Sequence, residues 1–289
     1  MPQTINTNLV SLNAQRNLNM SQSSMGVAMQ RLSSGLRVNS AKDDAAGLAI
    51  AERMNAQVRG MNVAARNAND GISLAQVAEG ALSKIGDSLQ RMRELAVQAR
   101  NASNSLSDKD SLDKEFGELA KEIQRVIGGT TFNGKHVIGS DADTLTFQIG
   151  ANTASDDTID VATTNMGSSA EIIAVAGTDN TGAARGVIDS TSDTTTIKTV
   201  IDNIDTALNF VNDTRATYGA TQSRFDAIIS NLQVSAENQT AARSRIMDAD
   251  FAAETANLSR AQILQQAGNA MVAQANQLPQ QVLRLLGGG

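Results

Sequence analysis

Apolar side chains recur at alternating gaps of three and four residues between Ile197 and Ala236. This repeat places one continuous apolar stripe along a helix much longer than most globular helices. Such a stripe cannot be buried by its own helix, so it predicts packing in a helical bundle. Ten of the twelve stripe positions are apolar, the exceptions being Arg215 and Gln222. The twelve positions are Ile197, Ile201, Ile204, Leu208, Val211, Arg215, Tyr218, Gln222, Phe225, Ile229, Leu232 and Ala236.

Two further stripes of the same spacing lie in the first half of the chain. One is formed by Leu82, Ile85, Leu89, Met92, Ala96 and Ala99, and the other by Leu112, Phe116, Leu119, Ile123 and Val126. A polar break at 101–107 separates them, and Gly128-Gly129 is expected to stop the second helix. A weaker stripe continues upstream to Asp43, where Ser40 and Asp43 resemble a capping pair. We expect three long helices in an elongated antiparallel bundle.

The region between these helices changes to a strand pattern. Leu145, Phe147 and Ile149 alternate with polar residues, as do Ile159 and Val161, which predicts a short antiparallel hairpin around a 150–157 loop. Asn133-Gly134 predicts a tight turn. Residues 165–196 are rich in Gly, Ser, Thr and Asp, and we expect a small exposed excursion there.

Both ends of the chain carry narrow helical stripes and no carboxylates. Residues 1–42 and 255–289 contain no Asp or Glu, as expected where identical copies would otherwise stack like charges. We expect the two ends to pair with each other, to be marginal alone, and to order against neighbouring molecules. The candidate assembly positions are Ile5, Leu9, Leu12, Met25, Met29, Leu32, Leu36, Leu264, Met271, Leu278, Val282 and Leu285.

The composition argues against an enzyme. The chain has no Cys and one His, so it offers neither a thiolate nucleophile nor a multi-His metal site. The segment 129–135 resembles a phosphate-binding loop, but His136 stands where Ser or Thr must bind magnesium. No cofactor is expected. The net charge of −6 argues against nucleic acid as a partner, and the longest apolar run, Ile172–Ala176, is too short for membrane insertion.

Several long motifs occur in one order along the chain. They are Ile5-Asn-Thr-Asn8, the run from Arg31 to Gly47, Arg66-Asn-Ala-Asn-Asp-Gly-Ile-Ser73, Gln90–Val97, Ala242–Ile246, Ser259–Gln266 and Ala273–Pro279. In these motifs the chain resembles bacterial flagellin, the subunit of the flagellar filament, over essentially its whole length. It resembles a minimal form, because only residues 165–196 separate the family-like halves.

The resemblance implies a mainly α fold in three parts. Residues 1–42 and 247–289 would form a discontinuous terminal coiled-coil domain, the filament core. Residues 43–164 and 197–246 would form a central helical bundle with a short β-hairpin. Residues 165–196 would form the variable exposed excursion. The implied function is self-assembly into the filament for motility, and the alternative is a hook–filament junction protein of the same superfamily.

The resemblance also implies partners and a location. The protein would be exported through the flagellar secretion apparatus to the extracellular flagellum, which agrees with the absence of an N-terminal apolar segment typical of cleavable signal peptides. A flagellar export chaperone would bind the C-terminal region. Filament cap and hook-junction proteins would contact the polymer, which is a homo-oligomer of many copies.

Host innate-immune receptors are the last implied partners. Residues Gln30–Ala51 match the stretch that plant flagellin receptors read, with Asp43 and Gly47 at its key positions. Arg91, Leu95 and Glu115 match positions that the vertebrate flagellin-sensing Toll-like receptor contacts. Arg91 and Leu95 are four residues apart and one residue off the stripe of Met92 and Ala96, so we expect both to be accessible on an isolated bundle.

Overall fold

The computed structural model of the chain describes residues 7–286, with side chains described up to residue 277. Within that range the backbone forms six α-helices and four short strands. The helices are α1 (Leu9–Ser34), α2 (Ala45–Ala99), α3 (Leu106–Gly129), α4 (Ala170–Ala176), α5 (Thr194–Met247) and α6 (Phe251–Leu286). The strands are β1 (Thr131–Phe132), β2 (Lys135–His136), β3 (Thr144–Gln148) and β4 (Thr158–Ala162). The predicted mainly α fold with a short β-hairpin is confirmed.

The chain divides into two compact units. The terminal unit contains the described residues up to Ala56 and from Asn238 onward, and the central unit contains Gln57–Glu237. Helices α2 and α5 contribute residues to both units. No helix in the described range is both long enough and apolar enough to cross a membrane.

The core of the central unit is built from the predicted stripes. All six stripe residues between Leu82 and Ala99 have no exposed surface, and Ile204, Tyr218 and Phe225 of α5 are at most 1% exposed. A buried Tyr hydroxyl is costly to ionise, and burial raises the pKa of Tyr218 to about 12. The sparse aromatic residues thus fill the centre of a core that is otherwise aliphatic.

Local capping sets the helix ends. Ser105 and Asp108 form a capping box that begins α3, and α3 ends at Gly129 as predicted. The predicted Ser40–Asp43 cap on α2 is wrong. Asp44 caps α2 instead, because its Oδ1 accepts a hydrogen bond from the Gly47 N–H at 2.7 Å. Ser40 and Asp43 close the preceding turn, where the Ser40 N–H donates to Asp43 Oδ2 at 2.9 Å.

The two predicted β-turn regions form antiparallel ribbons. Strands β1 and β2 are joined by Asn133 and Gly134, whose φ angles of 50° and 80° are typical of a type I′ turn. Strands β3 and β4 pair with Phe147 opposite Ile159. Phe147 packs edge-on against Phe225, with 5.6 Å between ring centroids. A Cβ at Gly71 would lie 2.6 Å from Cζ of Phe225, so this close approach requires glycine.

The segment 165–196 is more buried than predicted. Five of its apolar side chains have no exposed surface and join the core of the central unit, and they are Met166, Ile172, Val175, Ala176 and Ile188. The exposure expected for these residues is therefore corrected. The reason is a set of contacts with α3 that the local composition does not reveal. The Arg185 guanidinium forms an ion pair with Asp113 on α3, and the Ile188 N–H donates to Asp113 Oδ1 at 3.0 Å.

Candidate functional site

Helices α1 and α6 form an antiparallel pair in the terminal unit. At one end, Asn8 donates from Nδ2 to the Ala275 carbonyl at 2.7 Å, and the Ser11 hydroxyl donates to Asn276 Oδ1 at 2.7 Å. At the other end, Arg31 Nη1 lies 3.7 Å from Glu254 Oε1. The expected pairing of the two chain ends is therefore observed for α1 and α6.

The contact between α1 and α6 is made by small and polar side chains. Ser11, Ala28, Ala261 and Ala275 are between 2% and 5% exposed. Gly268 lies beside Leu18, such that a Cβ on the glycine would be 3.2 Å from Leu18 Cδ1. These residues repeat at the spacing of a coiled-coil seam, but each buries little apolar area. The pair is therefore held by close packing and few strong contacts.

The large apolar residues predicted to form the seam between the chain ends mostly lie outside it. The exposed fractions are 67% for Leu9, 48% for Leu12, 54% for Met29, 49% for Leu264 and 55% for Met271. This corrects the expectation that these positions pair with each other within one chain. The reason is that α1 and α6 turn their small-residue stripes toward each other, which leaves the larger stripes on the flanks.

The remaining candidate positions are less exposed or lie beyond the described side chains. Met25, Leu32 and Leu36 are half-buried. Ile5 lies outside the described residues. Leu278, Val282 and Leu285 lie within the backbone of α6, but their side chains are outside the described range.

Two neighbouring cavities run along one side of the α1–α6 pair. Their volumes are about 760 and 490 Å³, and both are lined by Asn17, Ser21 and Leu264. The larger cavity also exposes Met20 and Val27, and the smaller one is further lined by Leu9, Val10 and Met271. Together they form a groove lined by both apolar and polar side chains, and we call this groove and the other exposed apolar residues of α1 and α6 the outer face. Exposed apolar side chains that are grouped on a surface are typical of interaction sites.

A short junction connects the ends of α1 and α5 to the rest of the terminal unit. The Ala249 N–H donates to the Gly35 carbonyl at 2.9 Å, and the Arg37 guanidinium donates from Nη2 to the Ile246 carbonyl at 2.7 Å. Asp43 is exposed next to this junction, and hydrogen bonds from Ser40 lower the pKa of its carboxyl group. Gly47 lies in the first turn of α2. Both predicted key positions of the 30–51 stretch are thus held in local folded structure.

The predicted Toll-like receptor positions separate into an accessible pair and a buried residue. Arg91 and Glu115 share a surface of α2 and α3, with 2.8 Å between Arg91 Nη2 and Glu115 Oε1, and each side chain is about half exposed. Leu95, in contrast, is 1% exposed and belongs to the core of the central unit. The expectation that Leu95 is accessible is therefore wrong. Helix α2 packs against α3 and α5 at once, so it buries a wider face than one stripe.

The described residues do not assemble a metal-binding cluster. Across residues 7–286 no group of three or more His, Asp and Glu side chains could hold a metal ion. The lone His136 contacts Asp141, with 2.8 Å between Nδ1 and Oδ2, next to the β1–β2 turn. The segment 129–135 forms that turn and its strands, where a phosphate-binding loop would lead into a helix.

Comparisons with known proteins agree at both ends of the chain. Residues 5–141 match the bacterial flagellin N-terminal helical region, and residues 201–286 match the C-terminal helical region. A flagellin of Halalkalibacterium halodurans is 46% identical over 98% of this chain and 99% of its own length. A Xenorhabdus nematophila flagellin is 44% identical over 99% and 100%, and a Bacillus subtilis flagellin 41% over 98% and 99%.

A crystal structure of Bacillus cereus flagellin aligns with 62% of this chain and 94% of its own, at 33% identity and a TM-score of 0.48. Family membership rests on the sequence matches, which span nearly all of this chain and of its relatives. The chain therefore belongs to the bacterial flagellins, structural proteins and not enzymes, which polymerise into the extracellular flagellar filament.

Proposed function

We propose that the outer face of the α1–α6 pair is the surface through which this chain polymerises. The observation that carries the proposal is that Leu9, Leu12, Met29, Leu264 and Met271 are each about half or more exposed in the single chain. Full burial of one such side chain contributes roughly 1.5–3 kcal/mol. Contact with neighbouring copies would bury this surface at many positions along both helices.

The charge distribution supports the same surface. Helix α1 contains no carboxylate, and the single acidic residue of α6, Glu254, is 8% exposed and faces Arg31. In a closely packed array, an exposed carboxylate would recur at the same position in every copy and would repel its equivalents. The outer face lacks this obstacle. It is therefore suited to contact with identical copies.

The partners and the route of export follow from the family. We propose on this basis export through the flagellar secretion apparatus, an export chaperone at the C-terminal region, and contacts with cap and hook-junction proteins. Because α1 and α6 meet through small residues, little apolar surface becomes exposed when the two helices separate. This supports separation of the two helices during export.

Recognition by host receptors is proposed for two surfaces. The half-exposed Arg91–Glu115 pair offers a charged surface for the vertebrate receptor. Leu95 is a core residue and does not belong to this surface. The 30–51 stretch, with Asp43 and Gly47, is the proposed determinant for plant receptors. Because this stretch includes the buried Val38, a receptor that reads it as an extended peptide must first release it from the folded chain.

A hook–filament junction protein remains the alternative. The near-complete coverage of curated flagellins in both directions favours the filament subunit. Electron microscopy of the purified full chain after concentration distinguishes the two functions. Long helical polymers are expected for the filament subunit, and short or absent polymers at every concentration would favour the junction protein.

A further inference from the structure

The described methionines of this chain differ widely in exposure. Among the described residues, the three methionines of the central unit are all buried, at most 6% exposed, and they are Met61, Met92 and Met166. The described methionines that are more than half exposed all lie on α1 and α6. They are Met20, Met29 and Met271, with exposed fractions of 60%, 54% and 55%.

Two of the three exposed thioethers line the cavities of the outer face. Met20 lines the larger cavity together with Val27, and Met271 lines the smaller one together with Leu9. Leu264 lines both. Both side chains are thus accessible to small solutes in the single chain, and each has apolar neighbours. Under the proposed function, neighbouring copies would cover them in the polymer.

Exposed thioethers react with hydrogen peroxide by oxygen transfer. The methionine sulfur attacks one peroxide oxygen, an S–O bond forms, and the O–O bond breaks. The second oxygen leaves with both hydrogens as water. Sulfur is oxidised by two electrons to the sulfoxide and peroxide is reduced by two, so no further reactant is required. The product is a polar, chiral side chain in place of an apolar one, which disrupts methionine-rich contacts.

We propose that Met20, Met29 and Met271 form a peroxide-modification site that controls polymerisation of this chain. The inference rests on the proposed function of the outer face. Sulfoxides at these positions replace apolar side chains by polar ones, and burying such a group without a hydrogen-bond partner is unfavourable. Oxidation of the free chain therefore blocks its addition to the polymer. Chains already in the polymer are protected because the same contacts cover the sulfur atoms.

The first test maps the oxidation sites on the full chain. Monomer is treated with hydrogen peroxide, and each methionine is quantified by peptide mass spectrometry over time. Met20, Met29 and Met271 should oxidise at least about tenfold faster than Met61, Met92 and Met166, which serve as internal controls. Equal rates for the two sets would contradict the proposal. In preformed polymer, the three reactive positions should be protected.

The second test measures polymerisation from seeds after oxidation. Oxidised protein should grow at least about tenfold more slowly than untreated protein, and methionine sulfoxide reductases should restore growth. The matched control is the variant Met20→Leu, Met29→Leu, Met271→Leu, which keeps apolar side chains of similar volume. Whatever its growth rate before treatment, this variant should keep at least about half of that rate after peroxide treatment. If it does not fold, enzymatic repair of the oxidised natural sequence still decides the question.

The outcomes separate the two claims. If untreated protein does not polymerise, the proposed function fails and the modification site fails with it. If untreated protein polymerises and oxidised protein grows equally well, only the modification site is contradicted. Loss of growth that the reductases do not reverse would also contradict it, because irreversible damage elsewhere would then be the cause.

Discussion

Arg31 on α1 and Glu254 on α6 form an ion pair at the end of the pair where α1 finishes and α6 begins, with 3.7 Å between Nη1 and Oε1. Glu254 is the only carboxylate in α6, and it is 8% exposed. The contact therefore joins two helices that otherwise meet mostly through small and polar residues. Arg31 lies in the last turn of α1 and Glu254 in the first turn of α6, so the ion pair connects these two helix ends.

Removal of this ion pair should weaken the terminal unit. We expect Glu254→Ala to raise the protein concentration needed for polymerisation, because Arg31 would remain partly buried without its carboxylate partner. Sedimentation of polymer across a concentration series measures the change. Arg260→Ala, on the same helix, is the control and should have a smaller effect. An equal effect of both variants would contradict a specific role for this ion pair.

Met271→Asp should block polymerisation while leaving the monomer folded. Met271 is 55% exposed in the single chain, so the carboxylate remains hydrated there. In the polymer it would be buried without a partner, at a cost of several kcal/mol per site. Electron microscopy tests assembly, and circular dichroism tests the monomer. Met271→Leu is the matched control and should polymerise. Normal filaments from Met271→Asp at neutral pH would remove Met271 from the proposed surface.

Deletion of residues 1–40 or 255–289 should abolish filament growth and leave the central unit folded. The central unit has its own core, which includes Leu82, Phe116 and Phe225, all without exposed surface. A cooperative thermal transition followed by helical circular dichroism should remain in both truncated chains. Filaments from either truncated chain, or loss of helical signal at room temperature, would contradict the division of roles between the units.

The Asp113–Arg185 ion pair should stabilise the central unit strongly. Its side chains are only 12% and 17% exposed, and Arg185 also stacks over the Phe116 ring at 5.9 Å. Asp113→Ala should lower the free energy of unfolding by about 3 kcal/mol, because a buried guanidinium loses its partner. Asp205→Ala removes the half-exposed pair with Arg93 and should cost less than about 1 kcal/mol. Urea unfolding of the two variants measures both values.

Receptor signalling should depend on Arg91 and Glu115 but respond to Leu95 only through stability. Leu95→Ala should lower the free energy of unfolding by about 3 kcal/mol, since it leaves a cavity in the core. Arg91→Ala and Glu115→Ala should leave unfolding nearly unchanged and reduce activation of the vertebrate receptor by monomer. Activation measured at a temperature where all variants are folded separates the two effects. A selective loss of receptor activation by Leu95→Ala at that temperature would indicate that Leu95 contacts the receptor.

The central helices could be predicted from the sequence because their partners lie in the same chain. The repeat through Leu82, Ile85 and Leu89 is fully buried, and the antiparallel hairpin predicted from the alternating pattern is formed by β3 and β4. Leu95 was missed because a heptad repeat describes one contact face, whereas α2 contacts two neighbours. Arg91 contacts Glu115 on α3, and Arg93 contacts Asp205 on α5.

The terminal helices carry two competing stripes with the same spacing. Leu264 and Met271 define one, and Ala261, Gly268 and Ala275 define the other. Hydrophobicity favours the stripe of larger residues as the helix contact, but within one chain the stripe of small residues forms the contact between α1 and α6. Sequence periodicity cannot assign the larger stripe, because its proposed partner is another molecule. The Asp113–Arg185 contact was also missed, since 72 residues separate its members and neither lies in a recognisable motif.

Gly268 favours one register of α1 against α6. A Cβ on Gly268 would lie 3.2 Å from Leu18 Cδ1, so Leu18 would have to shift by a few tenths of an ångström, and one repeat away in either direction α6 presents Ala261 or Ala275. A slip of α1 by one heptad would shift it by about 10 Å and place a methyl group beside Leu18 instead of the glycine. In a polymer of many copies, such a slip would change the position of α1 in each copy in which it occurred. The glycine at position 268 thus favours the same α1–α6 register in every copy.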